Sequence, residues 1–175
     1  MRLDGITRRG LAVFLVGSLV SACASTGAVP RPFPAPGGRP ESTFPGPEPA
    51  DPAAEGYALT STALALRGAP YRNGGVSPEG FDCSGFVQYV FGRHGVALPR
   101  ETRDQFRTGQ RVDRGQLEPG DLVFFTTVAP GASHVGIMIG GDQFVHAPSE
   151  RGVVRVERLS NSYWNRRFVG ARRPR

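Results

Sequence analysis

The sequence predicts an α+β domain in which N-terminal helices pack on an antiparallel β-sheet. Apolar residues recur at helical spacing from residue 59 to residue 93, and short β-rich runs separated by Gly or Pro follow Pro119-Gly120. Helices that come first, with strands after them, favour this architecture. The 175 residues allow one domain of ordinary size plus appendages.

Three helices are expected in the first half of the domain. The first has its apolar residues at helical spacing between Leu59 and Leu66 and ends before Pro70. The second runs from Cys83 to Arg93 with a buried apolar stripe, and a third, short helix covers Thr102 to Thr108.

Four strands are expected in the second half. They are short, rich in β-branched and aromatic residues, and bounded by turn residues. The expected strands are Leu122–Thr126, His134–Ile139, Gln143–His146 and Val153–Glu157.

The hairpin formed by the middle two strands is expected to bring two histidines together. If Gly140-Gly141-Asp142 is the loop, His146 opposes Gly136 and lies on the same face as His134. Diagonal neighbours on one face are about 7–8 Å apart at the backbone, within side-chain reach. A two-residue loop would place the imidazoles on opposite faces.

The first 55 residues are expected to form a targeting segment followed by a tether. A basic start and an apolar run from residue 11 to residue 20 are typical of a secretory signal peptide, here residues 1–22. Val20-Ser21-Ala22-Cys23 resembles the lipobox of bacterial lipoproteins, although an ordinary signal peptide with a chance cysteine is the alternative. Residues 23–55 carry nine of the 16 prolines and predict an extended tether, which leaves 56–175 as the domain.

Lipidation of Cys23 would anchor the protein to a membrane surface without a spanning helix. By resemblance to Gram-negative lipoproteins, Ala24 after this cysteine favours the outer membrane, facing the periplasm. No run reaches the roughly 18 apolar residues of a spanning helix, which excludes a polytopic membrane protein. The net charge is +6 and all 21 basic residues are Arg, so an anionic partner is one possibility.

Cys83 is the candidate nucleophile. Asp82 is a good helix N-cap, so the thiol falls in the first helical turn, where the dipole and free N–H groups favour a thiolate and lower its pKa. Gly85 would let another element or a substrate approach closely. A buried structural cysteine is the alternative for Cys83. Of the three histidines, His94 is interpreted as a surface residue at a helix end.

Four segments carry a family resemblance. They resemble, in order and with suitable gaps from Ala58 to Arg173, the motifs of the NlpC-type cell-wall cysteine peptidases, whose fold is a pared-down papain-like α+β domain. The segments are Phe81–Phe86, Leu117–Val123, His134–Ile137 and Phe144–Ala147. Two more, Pro70–Gly75 and Tyr163–Arg167, narrow the resemblance to the Spr/MepS-like murein endopeptidase lipoproteins.

The resemblance implies roles for four residues. Cys83 is expected to be the nucleophile, His134 the general base and acid, and His146 the orienting residue. Tyr71 matches a tyrosine that borders the family's active site and is expected to help hold the oxyanion. The resemblance implies no metal and no cofactor. One Cys and two His could instead bind zinc, but the helix start suits a nucleophile better.

Within the same motifs, Asp82, Ser84 and Gly136 are expected to contribute to binding. Asn73 stands where close relatives often carry an aromatic residue, which bears on substrate preference and not on the chemistry. Tyr163 and Trp164 are expected to close the core and not to stack on ligands.

The resemblance implies a peptidoglycan endopeptidase that cleaves stem peptides or cross-links. The bond between D-alanine and meso-diaminopimelate is favoured, and the γ-D-glutamyl–diaminopimelate bond comes next. A non-catalytic wall-binding lipoprotein and an amidase or acyltransferase on the same fold are the alternatives. No nucleic-acid partner is expected, because the C-terminal arginine cluster of a secreted protein is more simply a solvated tail. The sequence is silent on protein partners.

Overall fold

A computed structural model describes residues 51–149 and 152–175 of the chain. The predicted signal peptide, residues 1–22, lies outside the described residues, as do the predicted lipidation site Cys23 and the tether up to residue 50. Among the described residues, no helix has the length and apolar character needed to cross a membrane.

The described residues form four α-helices and eight β-strands. The helices are α1 Pro52–Ala65, α2 Cys83–Arg93, α3 Thr102–Gln105 and α4 Ser162–Asn165. The strands are β1 Val76–Ser77, β2 Gly80–Phe81, β3 Gln110–Val112, β4 Leu122–Phe125, β5 His134–Gly140, β6 Gln143–His146, β7 Arg155–Arg158 and β8 Phe168–Arg173. Because α1 to α3 precede a six-stranded antiparallel sheet, the predicted α+β class is confirmed.

Helix α1 begins earlier than the predicted domain boundary. The Asp51 side chain accepts from the N–H of Ala53 at 3.0 Å, and Pro52 occupies the first helical position. Proline is well suited to that position, since its missing N–H would have no partner there in any case. The boundary placed between residues 55 and 56 therefore falls inside α1, because the sequence analysis assigned Pro52 to the tether.

Helix α2 has the predicted bounds. Asp82 caps it by accepting from the N–H of Gly85 at 2.7 Å, and its stripe of Phe86, Val87, Val90 and Phe91 is buried. The cap at the other end is His94, which is exposed and bonded to the Thr62 hydroxyl at 2.8 Å. The interpretation of His94 as a surface residue at a helix end is thus confirmed.

The sheet has the strand order β3-β8-β4-β5-β6-β7. The four predicted strands correspond to β4 to β7, with β7 shifted to Arg155–Arg158, and α3 ends three residues before the predicted Thr108. Strand β8 was not predicted, because its arginines were interpreted as a solvated tail. Instead, Arg173 donates to the buried carboxylate of Asp121 at 2.7 and 2.9 Å.

The β5–β6 turn differs from the prediction, yet the register on which the histidines depend is the predicted one. Gly140 pairs with Gln143, so the loop is the two residues between them, and a bulge at Ile139 absorbs the extra residue. Beyond the bulge, Met138 pairs with Phe144 as predicted. A two-residue loop therefore does not separate the imidazoles, since the bulge restores the alternation.

The core lies on both faces of the sheet. The larger apolar cluster joins α1 and α2 to side chains such as Phe124, Val135 and Ile137. The smaller cluster contains Phe125, Met138, Phe144 and Trp164 on the other face. Side chains alternate between faces along a strand, which is why Phe124 and Phe125 are both completely buried.

Candidate active site

Cys83 is the first residue of α2 and is held against the start of β5. Its sulfur lies 3.7 Å from Oγ1 of Thr102, and the backbone N–H groups of Val135 and Ser84 are near enough to stabilise a thiolate. Val135 directly follows His134 in the chain. The start of α2 therefore packs against β5 at Val135, and the side chain of Cys83 remains partly exposed.

The expected low pKa of the thiol is wrong. Burial raises the pKa of Cys83, and the carboxylate of the neighbouring Asp82 raises it further. The Thr102 hydroxyl and the N–H groups of Val135 and Ser84 lower the pKa of Cys83, but by less than burial and Asp82 raise it. The same Asp82 that caps the helix brings a negative charge next to the sulfur, and this disfavours a second negative charge there.

Asp82 is the centre of a polar network at the start of α2. Besides capping Gly85, its carboxylate accepts from the N–H of Gly74 at 3.0 Å and forms an ion pair with Arg100. Arg100 also donates to the hydroxyl of Ser84 at 2.8 Å. Asp82 and Ser84, predicted to bind substrate, thus fix the start of α2 to the Arg100 loop, and their contact with substrate stays a prediction.

Gly85 confirms the expected close approach of another element. A methyl group at this position would lie 2.0 Å from the carbonyl oxygen of Gly75, which is closer than any packing allows. That carbonyl accepts from the N–H of Asp82 at 3.1 Å. The loop before β1 is therefore packed onto the first turn of α2 through the missing side chain.

His134 and His146 form a direct pair, as the predicted hairpin required. Nε2 of His134 lies 2.7 Å from Nδ1 of His146, and the side chains are 4 % and 0 % exposed. A methyl group on Gly136 would lie 2.6 Å from Cδ2 of Phe144 and 3.2 Å from Cβ of His146, so the missing side chain makes room for both neighbours. Gly136 is buried, and a contact between it and substrate stays a prediction.

Trp164 covers the histidine pair. Its ring stacks on His134 with centroids 5.5 Å apart and 24° between the planes, and it meets His146 edge to face at 4.9 Å. The expectation that Trp164 closes the core is confirmed, but its place beside the imidazoles was missed. For Tyr163 the expectation is wrong, because its side chain is 44 % exposed and lies under the guanidinium of Arg167.

Both imidazoles are neutral at neutral pH. Burial, with a smaller contribution from the positive charge of Arg155, lowers the pKa of His134 to about 4. Burial likewise lowers the pKa of His146 well below its usual value. If Nε2 of His134 donates to Nδ1 of His146, then Nδ1 of His134 carries a lone pair and can accept a proton. In that tautomer the proton of His146 is on Nε2, which has no hydrogen-bond partner among the described residues.

Tyr71 lies at the edge of the same apolar cluster as Cys83. Its backbone N–H donates to the carbonyl of Gly152 at 2.8 Å, and its side chain is half-buried. Its help in holding an oxyanion stays a prediction. Within residues 51–149 and 152–175, no group of three or more His, Cys, Asp or Glu side chains is arranged to hold a metal ion.

We expect iodoacetamide to alkylate Cys83 more slowly than free cysteine between pH 6 and pH 8. The raised pKa of Cys83 keeps the thiol protonated in this range, and only the thiolate reacts. The rate should rise as the pH passes above about 8.5, the ordinary thiol value. Rates are measured by mass spectrometry of the intact protein. Alkylation faster than that of free cysteine at pH 6 would contradict the raised pKa.

Comparison with known proteins gives the same family as the sequence motifs. A sequence model of the NlpC/P60 family matches residues 68–173. The probable endopeptidase NlpC of Escherichia coli K12 is 46 % identical over 117 residues, which are 66 % of this chain and 75 % of that protein. The murein DD-endopeptidase MepS/murein LD-carboxypeptidase of the same strain is 45 % identical over 108 residues, 61 % of this chain and 56 % of that protein.

A third relative differs in its named activity. The γ-DL-glutamyl hydrolase of Bacillus subtilis 168 is 40 % identical over 121 residues, which cover 66 % of this chain and 29 % of that protein. The chain thus spans from about a third to three quarters of the length of these relatives.

Solved structures agree on the fold. An NlpC/P60 family protein from Bacillus cereus ATCC 10987 superposes with a TM-score of 0.64 at 35 % identity, covering 71 % of this chain and 41 % of that one. The NlpC/P60 domain of the peptidoglycan hydrolase SagA superposes with a TM-score of 0.59 at 34 % identity, covering 66 % and 96 %. The family model matches more than half of this chain, and solved structures of the family share its fold. The chain therefore belongs to the NlpC/P60 family.

Proposed function

We propose that this chain is a peptidoglycan endopeptidase, a cysteine hydrolase that cleaves amide bonds in stem peptides or cross-links. The observation that carries the proposal is the sulfur of Cys83 near the backbone N–H of Val135, the residue that follows His134 in β5. The ring of His134 pairs with His146 in a way that leaves its Nδ1 available. The endopeptidase NlpC relative supports the reaction, and the murein DD-endopeptidase MepS relative supports both the reaction and the substrate.

In the first half of the reaction, Cys83 attacks the carbonyl carbon of the amide. Because thiol and imidazole are both uncharged at rest, Nδ1 of His134 takes the thiol proton as the S–C bond forms. The negative charge that develops on the carbonyl oxygen is stabilised by backbone N–H groups at the start of α2, with Tyr71 at the border of the site. His134 then delivers the proton to the leaving amine, the C–N bond breaks, and a thioester remains on Cys83.

In the second half, water hydrolyses the thioester. Neutral His134 accepts a proton from the water as its oxygen attacks the acyl carbon, and the proton returns to the sulfur when the S–C bond breaks. His146 holds His134 in the tautomer with Nε2 protonated and keeps its ring in one orientation. Trp164 shields this hydrogen bond from water, which strengthens it.

For the bond that is cleaved, the D-alanine–meso-diaminopimelate cross-link is our first choice. The murein DD-endopeptidase relative supports it. A γ-D-glutamyl–diaminopimelate bond is the second choice, and the γ-DL-glutamyl hydrolase relative favours that one. We further propose that the protein works in the bacterial cell envelope. There, lipid on Cys23 would tether it to the outer membrane facing the periplasm.

Digestion of purified sacculi tests the proposed function. Full-length protein and its Cys83→Ala variant are incubated with sacculi, and the muropeptides are profiled by mass spectrometry. We expect the wild type to release new stem-peptide or cross-link fragments and the variant to release none. The masses of the fragments identify the bond that breaks, which separates an endopeptidase from an amidase. Identical profiles for both proteins would favour a non-catalytic wall-binding lipoprotein.

A further inference from the structure

A cavity of about 320 Å³ lies on one side of the histidine pair. Its lining includes His134, Trp164, Tyr163, Arg155, Glu157 and Asn161, and Cys83 is not among the described residues that line it. The imidazole of His134 therefore borders the cavity, and the sulfur of Cys83 does not. In the mechanism above, the imidazole gives its proton to the leaving amine, so the leaving part of the substrate belongs on this side.

Arg155 lines this cavity together with His134. It lies on β7 directly opposite His146 in the register of the two strands. Its positive charge is near enough to help lower the pKa of both His134 and His146. Nε of Arg155 donates to Oε1 of Glu157 at 2.9 Å, and this bond orients the guanidinium.

The rest of the guanidinium is available to a ligand. Glu157 uses only Nε, and the side chain of Arg155 is half exposed, so its two terminal NH₂ groups can bind an incoming carboxylate in the bidentate geometry that arginine favours. The walls beside it carry exposed apolar surface, with Val128 75 % exposed and Tyr163 44 % exposed. Such a site fits an amino acid with an aliphatic body and a free carboxylate.

We infer that this cavity binds the leaving amino acid of the cleaved amide and that Arg155 contacts its free carboxylate. The inference rests on the proposed function and adds a specificity-determining residue to it. In the D-alanine–meso-diaminopimelate cross-link, the leaving amine and the free carboxylate of diaminopimelate are on the same carbon, the D-centre. In the γ-D-glutamyl bond the same carboxylate lies at the far end of the leaving residue, so the contact suits the cross-link. Amidation of that carboxylate would remove the charge that Arg155 recognises.

Two synthetic peptides test the inference. They are identical except that the leaving residue carries either a free carboxylate or a carboxamide. We expect wild-type kcat/KM to be about 10- to 100-fold higher for the carboxylate, in the range of a charge-assisted hydrogen bond. Arg155→Gln should lose this preference and Arg155→Lys should keep part of it. The two peptides are compared within each variant at pH 7.5, so the effect of Arg155 on the pKa of His134 acts on both rates alike and cancels in their ratio.

Arg158→Gln is the matched control, because Arg158 is also exposed and lies at the other end of β7. It removes the same charge from the same strand and should keep the preference. An equal rate for both peptides in the wild type, or a preference that survives Arg155→Gln, would overturn the inference.

Binding separates this inference from the proposed function. In the Cys83→Ala background, Kd for both peptides is measured by calorimetry with and without Arg155→Gln. If the wild type cleaves neither peptide, the proposed function fails. The Kd ratio then decides the inference alone: a carboxylate preference that depends on Arg155 supports it, and equal Kd values reject it.

Discussion

Replacing His134 by alanine should lower kcat/KM for peptidoglycan fragments by about 10³- to 10⁴-fold, near the upper end of what general acid–base catalysis contributes. The substitution removes the group that takes the thiol proton and also gives a proton to the leaving amine. Because the thiol of Cys83 has a raised pKa, the remaining protein has no ready thiolate to compensate. Cys83→Ser should be similarly inactive, since a hydroxyl is a far weaker nucleophile.

The fold must be shown to persist in the His134 variant. His134 is buried against Trp164, so alanine leaves a cavity, and His134→Gln is the companion that retains more volume. Circular dichroism and the urea midpoint report the fold, and steady-state rates report the chemistry. A folded His134→Ala protein that keeps more than about a tenth of the activity would contradict the assignment of base and acid, because even a weak general base contributes about 10²-fold.

His146→Ala should cost less than His134→Ala. It removes the partner of Nε2 and with it the control of tautomer and orientation, but leaves Nδ1 in place. His146→Asn offers a side-chain oxygen to the same Nε2 and should recover part of the loss, which a purely structural role for the ring would not explain. Equal losses for His134→Ala and His146→Ala would mean that the pair acts as one unit.

The parts of the site that the sequence predicts are those set by local rules. The Asp82 cap fixes where α2 begins, and alternation along β5 and β6 puts His134 and His146 on one face. The predicted three-residue loop between β5 and β6 is wrong, but the two histidines still share one face as predicted. The bulge at Ile139 depends on the positive φ values of Gly140 and Gly141, and two adjacent glycines do not determine which residue the strand leaves unpaired.

The parts that the sequence does not predict depend on packing between distant segments. The pKa of Cys83 is raised by burial, which no pattern around the residue reveals. Trp164 reaches His134 only because α4 packs on the far face of the sheet, and Arg100 pairs with Asp82 from a loop 18 residues downstream. A single arginine or tryptophan in a sequence carries no signal of such a neighbour.

Gly85→Ala should destabilise the domain by about 3 kcal/mol or more, in the range of the severe single substitutions. The new methyl group would lie 2.0 Å from the carbonyl oxygen of Gly75, and a backbone atom cannot rotate away as a side chain can. Either α2 or the loop before β1 must shift, which weakens the hydrogen bond from Asp82 to Gly75. Urea unfolding measures the loss.

Gly92→Ala is the matched control within the same helix. Gly92 is exposed and has open space around its Cα, so alanine there should stabilise α2 by up to about 1 kcal/mol through helix propensity. The two substitutions make the same chemical change in one helix and are expected to act with opposite sign. If Gly85→Ala is as mild as Gly92→Ala, the loop before β1 is not held against the nucleophile helix. Thiol positioning would then rest on Asp82, Arg100 and Thr102 alone.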